Sequence, residues 1–152
     1  MTVSVLSAAK RLAKRSNWTL SNLELQKILY LAHMFYLGRS KGEPLVSGHF
    51  EAWDYGPVHP DLYRIAKIFG SSAVENIFHS TPEIQDGLQA SMIDEAYDTI
   101  GKSGAGRLVN ATHRTGGAWA SHYIPGVLHC VIPNEDILRE YMDMVNGKAA
   151  AA

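Results

Sequence analysis

The residues with the most chemical potential are seven histidines and a lone cysteine, Cys130. His113, His122 and His129 fall close together, and Cys130 follows the last of them. A zinc site needs ligands at short fixed spacings such as His-Glu-x-x-His or Cys-x-x-Cys, and the chain carries neither. The histidines are therefore expected as surface groups or as satisfied interior ones, with no metal. Cys130 lies in an apolar run, Gly126 to Ile132, where a thiol behaves as a small inert core residue rather than a nucleophile. The Gly101-x-x-Gly104-x-Gly106 run lacks the lysine-serine pair of a phosphate loop, so close packing is the better explanation for it. Asp94, Glu95 and Asp98 have helical spacing and read as a solvated face. No catalytic residue, cofactor or metal is expected, and the chain is read as a binding protein and not an enzyme.

Composition narrows the setting. With 152 residues, 46% of them hydrophobic and 19% charged, the chain can bury a core without disulfides or a structural metal. A membrane helix needs about 18 consecutive apolar residues, and the chain has no such run. The N-terminus lacks the basic stretch and apolar block of a signal peptide, and one cysteine forms no internal disulfide. A cytoplasmic setting is expected. The net charge of -1 argues against a nucleic-acid footprint over the whole domain. The charge is uneven: residues 1–76 hold 9 basic against 6 acidic side chains, and residues 77–152 hold 5 against 9.

The elements that must position these residues are mostly helical. Val5, Leu6, Ala9, Leu12 and Ala13 give the period of an amphipathic helix over about residues 4–15. Its other face carries Lys10, Arg11, Lys14 and Arg15, a solvated face or, as the alternative, the basis of a DNA-binding regulator. Ser21 and Glu24 have the spacing of a capping box. The helix that follows, about residues 22–40, is apolar nearly all round and so must be central. Gln26, Tyr30 and His33 lie on one line of it and need buried partners.

Residues 48–54 read as a strand, Tyr55-Gly56-Pro57 as a turn, and Pro60 as the first position of a helix that Gly70 stops. Thr81-Pro82-Glu83 signals another helix start, with its firmest periodicity from Leu88 to Ile100. A short helix is expected around Arg107–His113, a loop over Arg114–Tyr123, a strand over 126–132, and a final helix capped near Asn134. The fold class is mainly α: one compact helical domain, residues 1–147, around a central buried helix, with a two-stranded ribbon of about 48–54 and 126–132. The ribbon must pack on the helices, since two strands are not stable alone. Residues 148–152 are expected to be a disordered tail.

Three blocks, in order, carry a resemblance. They are Leu25-Gln26-Lys27-Ile28-Leu29-Tyr30-Leu31-Ala32-His33, then Glu51 to Tyr63 with Trp53, Tyr55, Gly56, Pro57 and Val58, then Thr112-His113 followed by Trp119. Together they resemble the Panacea domain of the SocA-like antitoxins, over about residues 4–146. In the third block Gly117-Ala118-Trp119 departs from relatives that place a proline before the tryptophan.

The resemblance implies an antitoxin that binds and neutralises a cognate protein toxin, by occlusion or as a proteolytic adaptor delivering it to the ClpXP protease. From the apolar runs and the net charge, no membrane partner is expected and nucleic acid is disfavoured; a homo-oligomer stays open. The family-motif residues Gln26, Lys27, Tyr30, His33, Trp53, Tyr55, Gly56, Pro57, Val58, Tyr63, Thr112 and His113 are read as structural. Gln26 and His33 are expected to partner a hydrogen-bonded knot formed by Thr112, His113 and Trp119. Trp119, Arg114, His122 and Tyr123 are the expected toxin contacts, because loops on a rigid scaffold carry recognition.

Overall fold

The computed structural model describes residues 2–127 and 129–151. Helix α1 (Val5–Arg15) starts where the Ser4 side chain accepts from the Leu6 amide, and it turns Val5, Ala8, Ala9, Leu12 and Ala13 inward. Helix α2 (Asn22–Arg39) opens on the full capping box: Ser21 Oγ accepts from the Glu24 amide at 3.3 Å, and Glu24 Oε1 accepts from the Ser21 amide at 3.0 Å. Most of α2 is buried, because α1, α3, α4, α5 and α7 surround it together with the sheet.

The sheet differs from expectation. Strands β1 (Phe50–Trp53), β2 (Gly56–Val58) and β3 (Val131–Ile132) form a three-stranded antiparallel sheet in the order β2-β1-β3. The expected ribbon of β1 and β3 exists, with Phe50 opposite Ile132 and Glu51 opposite Val131, and a third strand, β2, forms where turn chemistry predicts only a turn. The turn is only Asp54–Tyr55, and Gly56 and Pro57 already pair back, opposite Trp53 and Ala52. Proline is tolerated there because β2 is an edge strand with no further neighbour to serve. The expected strand over 126–132 shortens to its last two residues, and Leu128 lies outside the described residues.

Helix α3 (Pro60–Ala66) begins with Pro60 and continues as a 3-10 turn, Lys67–Phe69, that Gly70 ends. Helix α4 (Leu88–Ala96) passes into a π-helical turn, Tyr97–Gly101. No helix forms at Thr81-Pro82-Glu83, where the chain stays irregular until Gly87. Its polar groups face α1 instead: the Thr81 carbonyl accepts from Lys10 Nζ at 2.8 Å, and Glu83 pairs with Lys14.

Helix α5 (Ala105–Thr112) is followed by α6 (Ala118–His122), a short helix inside the segment expected to be a loop. Helix α7 (Asn134–Ala151) closes the chain of elements and packs against α2. Helices α2 and α7 approach closely at Gly38, where a Cβ would lie 2.2 Å from the Tyr141 ring. Among the described residues, no helix is long and apolar enough to cross a membrane.

Candidate binding site

All three sequence blocks meet in one place, where α2, the β1–β2 hairpin, α5 and α6 converge. From α2, Gln26 grips the backbone of His59: its Oε1 accepts from the His59 amide at 2.7 Å and its Nε2 donates to the His59 carbonyl at 3.3 Å. A side-chain amide bonded both ways mimics a strand neighbour and pins the entry to α3. One turn of chemistry further on, Lys27 is 1% exposed, and its Nζ donates to the Pro57 carbonyl at 3.0 Å. An ammonium in such a place is poorly solvated, and burial pushes its pKa down to about 7.

Gly56 makes this approach possible. Its φ of +115° favours glycine, and a Cβ there would meet Lys27 Cε at 2.7 Å, Thr112 Oγ1 at 3.1 Å and His113 Nε2 at 3.2 Å. Thr112 Oγ1 is itself buried and donates back to the Leu108 and Val109 carbonyls of α5, each at 3.1 Å. The family-motif residues of the first and third blocks therefore touch the second block at one glycine.

Outside this point an aromatic stack forms. The His113 and Trp119 rings lie 3.7 Å apart at 6°, and the Trp119 and Tyr123 rings 4.6 Å apart at 16°. Trp119 Nε1 donates to the Trp53 carbonyl at 2.7 Å, and the Tyr123 hydroxyl donates to Asp54 Oδ1 at 2.6 Å. Both bonds fasten α6 to the hairpin. His113 Nε2 is buried without a partner in hydrogen-bond geometry, although the Tyr55 backbone lies near enough to favour its charged form. Burial outweighs that influence, and the Lys27 charge adds to it, so the imidazole pKa is lowered.

The expected toxin contacts are thus tied into the fold. Besides Trp119 and Tyr123, His122 Nε2 lies 2.6 Å from Asp136 Oδ2, and Arg114 lies 3.9 Å from the buried Glu140 carboxylate. Glu140 Oε1 accepts from the Ala118 amide at 2.8 Å and so caps α6. This role has no sequence signal, since the carboxylate reaches α6 from α7. Burial raises the Glu140 pKa.

Gln26 and His33 do not join the Thr112–His113–Trp119 knot as expected. His33 Nε2 lies 2.9 Å from Asn134 Oδ1 at the start of α7, while its Nδ1 accepts from the Val46 amide at 3.4 Å. These partners suit a neutral ring, and burial pushes the pKa down to about 4. Tyr30, on the same line of α2, is fully buried with its ring edge-on to Phe50, but its hydroxyl has no hydrogen-bond partner.

A cleft of about 650 Å³ opens beside these motifs. Lys27 lines it together with Trp53, Tyr55, Val58, Tyr63 and Val127. Trp53 and Tyr63 pack edge to face at 4.7 Å, and Tyr55 stands 71% exposed at the hairpin turn. Among the described residues, no group of three or more His, Cys, Asp or Glu could hold a metal ion.

The basic face of α1, the basis of the alternative DNA-binding reading, is covered by acidic partners. Arg11 donates to both carboxylate oxygens of Asp94, at 3.1 and 2.7 Å, and Arg15 to both of Asp98, at 3.0 and 2.6 Å. The basic first half and acidic second half of the chain thus meet in ion pairs along the surface seam between α1 and α4 with its π-helical turn.

Residues 25–120 match the family described as Antitoxin SocA-like, Panacea domain, and the chain belongs to that family. It is a family of antitoxins rather than of enzymes. Among its relatives, Antitoxin SocA of Caulobacter vibrioides (strain NA1000 / CB15N) is 40% identical over 112 residues, covering 66% of this chain and 58% of that protein. The chain therefore matches less than two thirds of that relative's length. No solved structure matches it.

Proposed function

We propose that this chain is the antitoxin of a toxin–antitoxin pair, and that it neutralises a cognate protein toxin by binding it in the cytoplasm. The observation that carries the reading is the family membership, which spans the three blocks that converge on Gly56. Residues 1–147 act as one Panacea-like unit in this reading.

The contact surface is the face built by α6 and the hairpin turn. Trp119, Arg114, His122 and Tyr123 contribute there, with their polar atoms held by the fold and their outer edges left for the partner. Tyr55, 71% exposed at the turn, extends the same face. Aromatic rings held rigid before binding suit such a role, because little side-chain freedom is lost on association. The finer reading is that the chain delivers the toxin to the ClpXP protease.

Co-expression with the protein encoded by the neighbouring gene tests the reading. Growth should be rescued and the two proteins should co-purify; toxicity unchanged by the chain, with no complex recovered, would sink it. Purified toxin, ClpXP and the chain then separate the two modes. Faster degradation of the toxin in the presence of the chain supports delivery, and unchanged degradation with blocked toxin activity supports occlusion.

A further inference from the structure

We propose that the cleft beside α2 and the hairpin binds a small carboxylic acid whose body is apolar and about the size of an aromatic ring, with Lys27 as the cation that receives the carboxylate. The shape and lining come first. A concave space of about 650 Å³, walled by Trp53, Tyr63, Val58 and Val127, has the size and apolar character of small-molecule sites, where a few polar groups set orientation. The polar group here is unusual. Lys27 is 1% exposed, yet its ammonium has three donors and one backbone acceptor, the Pro57 carbonyl at 3.0 Å.

A buried cation is ordinarily paired. Lys27 instead feels only burial, with no described carboxylate pulling its pKa back up. An incoming carboxylate would supply the missing charge and further acceptors in a weakly hydrated place, where such bonds are strongest. Two of the other polar groups that line the cleft are already engaged. Gln26 is committed to His59, and Asp54, which also lines the cleft, accepts from Tyr123. This assignment goes beyond the antitoxin reading and stands separately from it, because a free acid either binds the isolated chain or does not, whatever toxin the chain neutralises.

Phenylacetate and its uncharged amide, phenylacetamide, test it on the intact chain by NMR titration. Phenylacetate should shift the Trp53 indole N–H and the amides of Gln26 and Val127, and phenylacetamide should bind about tenfold more weakly or worse. Lys27→Met should weaken phenylacetate by a similar factor. Val127→Asp, at a position 45% exposed on the rim, should also weaken it by adding a negative charge without touching the core. Equal binding of acid and amide, or no saturable shifts with either, would overturn the site. A short peptide ending in a free phenylalanine carboxylate should bind no tighter than phenylacetate; clearly tighter binding would overturn the small-molecule assignment in favour of a chain terminus.

Discussion

Trp119 Nε1 donates to the Trp53 carbonyl at 2.7 Å, so a helix near the end of the third block is fastened to the strand that opens the second. The same indole lies between His113 and Tyr123, so one side chain joins α5, α6 and β1. Trp119→Phe keeps a ring in the stack and removes the donor. It should lower stability by about 1–2 kcal/mol, and Trp119→Ala by roughly 3 kcal/mol or more, because the ring contacts go as well. Urea unfolding of the two variants beside the parent checks the order.

Gly56→Ala should be among the most damaging small substitutions in the chain. The added methyl meets Lys27, Thr112 and His113 at or below 3.2 Å, on a backbone whose φ of +115° already disfavours a side chain. Strain and overpacking together are expected to destabilise by about 2–5 kcal/mol. Thermal unfolding monitored by circular dichroism measures it, and an unchanged midpoint would contradict the packing described.

His33 makes stability sensitive to acid. Its folded pKa of about 4 lies below the unfolded value near 6.5, so the unfolded chain binds more protons between those limits. The stability from the neutral ring is fully present above about pH 6.5 and is lost as pH falls toward 4. The contribution is on the order of 3 kcal/mol across that window. His33→Gln, which can still donate to Asn134, should flatten the fall between pH 6.5 and 4.5 in urea titrations.

Lys27 acts in the opposite range. Its folded pKa of about 7 is depressed from 10.5, so between these values the unfolded chain again holds the extra proton and stability rises with pH. Below pH 7 the burial penalty of the ammonium is present in full; it is relieved as pH climbs toward 10. Lys27→Met carries no such charge. The stability of this variant relative to the parent should therefore be most favourable near pH 6 and decline steadily up to pH 10, and a flat difference would refute the buried-charge description.

Arg11 and Asp94 form a two-point ion pair that joins α1 to α4. Arg11→Glu should destabilise by about 1–2 kcal/mol, more than an exposed pair, because Asp94 is only 18% exposed. Adding Asp94→Arg should recover part of the loss. A double-mutant cycle reads the coupling directly, and a coupling near zero would show that the pair acts independently.

Local chemistry was enough for much of the architecture. The Ser21–Glu24 box and Pro60 mark helix starts because caps act on the nearest few backbone amides. The all-round apolar α2 announces that it is surrounded, since no face of it can rest in water. The order of the three blocks identifies the family. Less visible was β2: Gly56 and Pro57 have turn chemistry, and only pairing with β1 makes them a strand. Likewise, 118–122 looked like a loop because the carboxylate that caps α6, Glu140, comes from far along the chain.

The sequence by itself determined most of the helices, the Ser21–Glu24 cap, the central element and the family, because these depend on neighbours within a few residues and on the order of motifs. Tertiary structure decided which polar groups lost their water and who faces whom. Lys27 is a typical motif lysine in the sequence, and it becomes a buried cation only when Gly56 lets the hairpin close over it. The basic face of α1 finds its partners only when Asp94 and Asp98 arrive from a distant helical segment, in ion pairs that stay partly exposed. Desolvation and long-range pairing are properties of the packed molecule, with no periodicity or spacing along the chain to announce them.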